Sequence, residues 1–188
     1  MVTLRNGKKE DAPFIAEMIM AALHIDCNKE EKMYQHVIKV VEDNNTLYSW
    51  NRCVVAVDGD ECVGLCLAYD ARDYHERRIQ TFTMTFEDGK SFADNDPTLL
   101  EQEDEAGEGE YYIDSLAVCT SRRHQGIGKL LMKDAIKEGT RKGLRPTLLV
   151  DPNNPNAVAL YTSLGFTYKR DIFAFGQVYH KYLHTTCS

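Results

Sequence analysis

The chain has 188 residues, 43% of them hydrophobic and 27% charged, with a net charge of −7. That length suits one domain with a sizeable core, and that composition suits an ordinary soluble protein. The acidic balance argues against a general nucleic-acid binder, which carries a basic excess. Residues Met1 to Glu10 are polar and hold no apolar core of leader-peptide length. The most apolar stretch, Phe14 to Leu23, is interrupted by Glu17 and is too short to span a bilayer. A cytoplasmic location is therefore the default expectation, with neither membrane nor nucleic acid as a partner. The six cysteines include no Cys-x-x-Cys pair; Cys53, Cys62, Cys66 and Cys119 lie in apolar runs and read as buried, reduced thiols. The histidines are too dispersed to suggest a metal site.

Val2 to Arg5 reads as a first strand. Asp11 is placed to cap the helix that follows, with Pro13 in its first turn. Phe14, Ile15, Met18, Ile19 and Ala22 form its apolar stripe. A second amphipathic helix is expected from about Lys29 to Val41. Cys53 to Val57 is a strand, Asp58-Gly59 a hairpin turn with Asp60 able to share it, and Cys62 to Tyr69 the return strand. Gly64 within that strand suggests a bulge or a close backbone approach.

Residues 70 to 109 break the pattern. Tyr74 to Gln80 has helical character. From Glu87 to Glu110 there are ten acids and one base, Lys90, for a net charge of −9. A run of this kind is usually a solvated loop. The alternative is an insert that takes part in substrate selection.

Glu110 to Val118 is the central strand, and Ile127 to Lys142 a helix stopped by Gly143. Pro146 to Asp151 is a buried strand, and a helix from Asn153 or Asn154 runs to about Leu164. Phe166 to Asp171 and Gln177 to Leu183 close the chain as a hairpin. A mixed α/β domain over residues 1–188 is the economical reading, with the acidic insert at about 70–109.

Between the central strand and its helix lies Arg123-His124-Gln125-Gly126-Ile127-Gly128. Glycines let backbone N–H groups approach a bound group, and the first amides of a helix attract anions. A dinucleotide fingerprint would need glycine where Leu131 stands; a Walker A loop would need glycine at Arg123 and Ser or Thr at Leu130. The pattern that fits, Arg-x-x-Gly-x-Gly, resembles the acyl-CoA-binding motif of the GNAT N-acetyltransferase superfamily. About thirty residues on, Asn154-Pro-Asn-Ala157, Leu160-Tyr161 and Leu164-Gly165-Phe166 resemble that superfamily's second signature.

The resemblance implies a mixed, mostly antiparallel sheet flanked by helices and splayed at the cofactor strands. It implies acetyl-CoA as cosubstrate, with Leu116, Ala117 and Val118 beside the pantetheine arm and the Val118 N–H as donor to the thioester oxygen. Backbone amides of His124, Gln125, Gly126, Ile127, Gly128 and Lys129 would hold the pyrophosphate, with Arg122, Arg123, Lys129 and Lys133 adding charge. Asp114 matches the position of a general base. Its alternative is a strand carboxylate paired with a neighbour, and Glu110 and Tyr112 stand on the same strand face. Tyr161 matches the general acid, or packs without a proton role. Asn154 matches a pantetheine contact, or is a helix cap. The implied activity is acetyl transfer to a primary amine of a small molecule. Transfer to a protein N-terminus or lysine is the first alternative, and a non-catalytic acyl-CoA-binding module the second. The resemblance also puts the segment at 70–109 near the acceptor side, where its charge would favour a polyamine, an aminoglycoside-like compound or a basic peptide if it is not simply a solvated loop. A homodimer is left open.

Overall fold

The computed structural model describes residues 1–23, 25, 32–85 and 103–185. Its elements are β1 (Val2–Asn6), α1 (Ala12–Ala22), α2 (Lys32–Glu42), β2 (Cys53–Asp58), β3 (Glu61–Asp70) and α3 (Tyr74–Thr85), followed by β4 (Glu110–Val118), α4 (Ile127–Arg141), β5 (Arg145–Val150), α5 (Pro155–Ser163), β6 (Phe166–Ala174) and β7 (Gln177–His184). The seven strands form one open sheet in the order β1-β2-β3-β4-β5-β7-β6. Every neighbouring pair is antiparallel except β4 and β5.

Each face of the sheet buries an apolar helix stripe. On one face Ile15, Ile19 and Val41 of α1 and α2 pack on Val55, Leu65, Leu67 and Tyr112. On the other, Ile127, Leu131, Met132 and Ala135 of α4 pack on Val63, Cys66, Ile113 and Leu148. Alternation along the strands sends successive side chains to the two faces, so the central strands are buried on both. Gly64 makes the second contact possible: a Cβ there would stand 3.2 Å from Ile127 Cγ2 and 3.3 Å from Leu131 Cδ1. The expected close approach at this glycine is thus a helix seated on the sheet.

Asp11 occupies the N-cap position of α1, yet it does not cap the helix. Its carboxylate instead accepts from Arg5 at 2.6 and 2.8 Å and from the Lys8 N–H at 2.8 Å. The guanidinium outcompetes a backbone amide because the bond is charge-assisted and bidentate. The remaining departures are at element ends. The helix expected from Tyr74 extends to Thr85, and Gly59-Asp60 forms the β2–β3 turn with Gly59 at φ +63°. Cys53, Cys62, Cys66 and Cys119 are free thiols. Lys29 to Glu31, and Glu87, Asp88, Asp94, Asp96 and Glu101 of the acidic run, lie outside the described residues. Among the described residues no helix is long and apolar enough to cross a membrane, and no group of three or more metal-ligating side chains occurs.

Candidate active site

The parallel pair β4–β5 holds for three residues, Glu110↔Arg145, Tyr111↔Pro146 and Tyr112↔Thr147, and then parts. Beyond that point β4 stays with β3 as far as Val118↔Gly64, and β5 stays with β7 as far as Val150↔His180. The parting begins at an irregularity. Leu67 pairs with Ser115 and Ala68 with Ile113, which leaves Asp114 as the extra residue of a β-bulge. Bulges bend a strand and re-aim a side chain.

An antiparallel ladder turns alternate residues' backbone groups to opposite edges. The Cys119 N–H donates to Val63 O at 3.0 Å, toward β3. Ala117, two residues back, faces β3 likewise, opposite Leu65. The N–H and C=O groups of Leu116 and Val118 therefore face the gap left by β5. Ala117, expected beside them as a contact of the arm, has its backbone groups turned to β3. Arg123 Nε approaches Val118 O on the gap side at 3.4 Å.

At the end of the gap the chain turns into α4. His124 and Gly126 both have left-handed backbones, φ +61° and +81°. The first intrahelical bond is Leu130 N–H to Gly126 O at 3.0 Å, and no side chain caps the helix. The N–H groups of Ile127, Gly128 and Lys129 thus precede the hydrogen-bonded ladder and point out of the helix start. A Cβ on Gly126 would meet nothing within 4 Å, so the turn fronts open space. Unclaimed amides at the positive end of a helix dipole, with exposed Lys129 and Lys133 nearby, fit a pyrophosphate. Arg122, expected to add charge here, is engaged elsewhere: it pairs with Asp58, and with Glu61 at 3.6 Å.

A cavity of about 470 Å³ opens at the parting, and its wall brings together Asp114, Leu116, Asn154 and Tyr161. Asp114 Oδ2 accepts from the Tyr69 hydroxyl at 2.5 Å and Oδ1 from Ser115 Oγ at 2.9 Å. Burial pushes the Asp114 carboxyl up to about 7; the nearby Glu105 charge adds to this, and the two hydroxyl donors oppose it. Tyr161 sits edge-on to Phe166 at 6.2 Å between centroids. Burial raises its phenol to about 12, so it carries its proton at neutral pH. Among the described residues its hydroxyl has no hydrogen-bond partner. Asn154 does cap α5, its Oδ1 accepting from the Ala157 N–H at 3.1 Å, and it lines the cavity as well. Glu110 is not part of this wall: Lys181 holds it at 2.7 Å, Lys181 itself being only 7% exposed. Tyr112 is part of it, and its hydroxyl donates to Glu105.

In the sequence Glu105 is one acid of the run, with nothing local to set it apart. It lies half-buried in the cavity wall, where Oε1 accepts from Tyr74 at 2.8 Å and Oε2 from Tyr112. Burial raises its carboxyl above the usual range, against the pull of those two hydroxyls. The neighbouring acids are also engaged. Asp104 meets His75 at 3.1 Å and Arg78 at 3.3 Å, Glu103 pairs with Arg170, and Ala106 is 4% exposed. At the described end of the run, Asp104 to Ala106 are therefore packed against the fold, while Glu103 and Glu108 are exposed. No local pattern marks which of ten acids is inside. A density of tyrosines at 69, 74 and 112 was the available hint.

The family model for the acetyltransferase (GNAT) family matches residues 18–166. Among solved structures, an N-acetyltransferase from Staphylococcus aureus Mu50 is 21% identical, with 96% of this chain and 99% of that one covered and a TM-score of 0.76. A second acetyltransferase is 22% identical over 97% and 98% of the two chains, also at 0.76. Diaminobutyrate acetyltransferase EctA from Paenibacillus lautus, solved with L-2,4-diaminobutyric acid and coenzyme A, is 15% identical over 97% and 93%, at 0.58. At these identities the likeness is one of fold. No curated protein matches. With the family match spanning most of the chain, this protein belongs to the GNAT acetyltransferases, which use acetyl-CoA as acetyl donor.

Proposed function

We propose that this protein acetylates the primary amine of a small molecule, with Asp114 as general base and Tyr161 as general acid. The observation that carries this reading is the shared cavity: Asp114 and Tyr161 line one chamber at the point where β4 and β5 part. A chamber of about 470 Å³ has the size of a small-molecule site.

Acetyl-CoA supplies the acetyl thioester. The residues of the chain do the rest. The Val118 N–H, turned into the gap, is a donor for the carbonyl oxygen as charge builds on it. An alkylammonium with a pKa of about 10 is only about one part in a thousand neutral at pH 7. Asp114 Oδ, with its carboxyl near 7, is matched to taking that proton at neutral pH. Tyr161 Oη carries a proton at the same wall for the departing sulfur. Ser115 and Tyr69 hold Asp114 in place, which keeps the base from swinging out of reach.

The test is an amine panel read by thiol release, with calorimetry of coenzyme A beside it. Turnover of free small amines at a rate that peptides do not reach supports the reading. Turnover confined to peptides replaces it with a protein acetyltransferase, and saturable binding with no turnover of any amine replaces it with a regulatory module.

A further inference from the structure

The acceptor half of the cavity is built for one cation on an apolar body. Its floor holds two carboxylates, Glu105 and Asp114, and all four hydrogen bonds they are given come from neutral hydroxyls: Tyr74 and Tyr112 to one, Tyr69 and Ser115 to the other. Buried carboxylates are ordinarily matched by a cation. Among the described residues no Lys, Arg or His lines this cavity. Arg78 stands behind Tyr74, its guanidinium 5.9 Å from the ring centroid, and serves Asp104 and the Glu103 carbonyl. The Arg78 charge lowers the Glu105 carboxyl, yet among the described residues no cation hydrogen-bonds Glu105 or Asp114.

A second observation concerns Tyr48. It lines the same cavity, and burial together with the Asp114 and Glu105 charges raises its phenol well above the ordinary value. Among the described residues its hydroxyl has no hydrogen-bond partner. A half-buried hydroxyl that lines the cavity and bonds neither carboxylate is placed to meet a ligand.

Away from the floor most of the wall is apolar, with Gln177 and Tyr179 among its polar members. Ile19, Met20, Val37 and Leu47 line it, and Phe82 and Phe175 meet edge to face at 6.1 Å. Phe175 is 41% exposed at the tip of the β6–β7 hairpin and has φ +51°, a backbone that disfavours a bulky residue. The hairpin turn holds this ring toward the cavity at a conformational cost. The remaining carboxylate, Asp151, lies past the end of β5 near Asn154, and its Oδ1 accepts from the Asn153 N–H at 2.8 Å.

Resting on the reading of this cavity as an acetyl-transfer site, we infer that the acceptor is a monocationic amine on an apolar or aromatic body, an arylalkylamine or alkylamine, with Glu105 as the residue that binds its ammonium. A carboxylate on the acceptor finds no Lys, Arg or His among the described residues of the wall. Beyond Glu105 and Asp114, a polyamine's further charges find one more carboxylate there, Asp151 near Asn154. This differs from the sequence-based expectation of a polyamine, an aminoglycoside-like compound or a basic peptide; from the described part of the insert, Glu105 is the acid that lines the cavity.

The experiment compares kcat/KM for 2-phenylethylamine, spermidine, phenylalanine and a lysine-containing peptide, then repeats the best substrate with Glu105→Gln and Glu105→Asp. Phenylethylamine is expected to exceed each of the others at least tenfold. Glu105→Gln is expected to raise the amine KM at least tenfold with the acetyl-CoA KM within twofold of wild type, and Glu105→Asp to recover part of the loss. The inference is overturned if spermidine, phenylalanine or the peptide matches phenylethylamine, if no amine is turned over, or if Gln leaves the amine KM unchanged. Should Gln fail to fold, the Asp variant and the substrate ranking decide it. Calorimetry with coenzyme A separates the two levels. Intact binding with a reversed ranking overturns only the acceptor class, whereas absent binding removes the acetyl-transfer reading itself.

Discussion

The Tyr69 hydroxyl donates to Asp114 Oδ2 at 2.5 Å across 45 residues of sequence, from β3 to the bulge of β4. This bond favours the ionised carboxylate, against the burial that disfavours it. Tyr69→Phe should therefore move the acidic limb of the rate–pH profile upward from about 7, while the rate on the high-pH plateau stays close to wild type. A lower plateau with no displacement of the limb would mean that Tyr69 only packs.

Asp114 itself must be ionised to accept a proton, so kcat/KM should rise with pH through about 7. Asp114→Asn should remove that limb and lower kcat at neutral pH by roughly 10²-fold or more. Stability should move the other way. The native carboxyl titrates near 7 and the unfolded one near its ordinary value of 3.8, so the native state binds more protons between those values. Stability of the wild type then falls as pH rises from 3.8 to 7. The Asn variant should escape that loss, and its Tm relative to wild type should be higher at pH 8 than at pH 4. A Tm difference independent of pH would contradict the raised carboxyl.

Tyr161→Phe keeps the ring against Phe166 and removes the proton. We expect kcat to drop by roughly 10²-fold with little change in acetyl-CoA affinity. Full activity in steady-state assays would leave Tyr161 as a packing residue.

Gly126 combines a left-handed backbone with open space in front of it. Gly126→Val should weaken acetyl-CoA binding at least tenfold by calorimetry, about 1.4 kcal/mol. The φ of +81° adds backbone strain to that variant. Gly126→Asn, which tolerates this region better, serves as the comparison. If both bind like wild type, the turn does not carry the diphosphate.

Lys181 and Glu110 form an ion pair between β7 and β4, outside the cavity wall, with side-chain exposures of 7% and 19%. Lys181→Met leaves a largely buried carboxylate without its cation. Urea unfolding should register a loss of about 3 kcal/mol, with coenzyme A affinity unchanged in the folded fraction. A neutral effect would mean that solvent reaches Glu110 freely.

The amino-acid sequence by itself determined the strands, the helices and the cofactor cradle. Those features are local. Apolar spacing sets a strand or helix, Gly126 permits the turn, Pro155 follows its Asn154 cap, and the two signatures hold their residues at fixed separations on single elements. The carboxylate at 114 and the tyrosine at 161 could be named because the resemblance implies a base and an acid at those positions.

Tertiary structure alone decided what those groups experience. The bulge at Asp114 exists only because β3 and β4 pair with a register shift. Asp11 left its cap for Arg5, and Arg122 left the cradle for Asp58. Glu110 was removed from contention by Lys181, 71 positions away. Glu105 is one acid among ten until Tyr74 and Tyr112, 31 and 7 residues distant, take its two oxygens. Burial of a charge depends on which chain segments exclude water around it, and those segments are far apart in sequence. A carboxylate's protonation and the chemistry of the acceptor it meets are therefore properties of the assembled cavity.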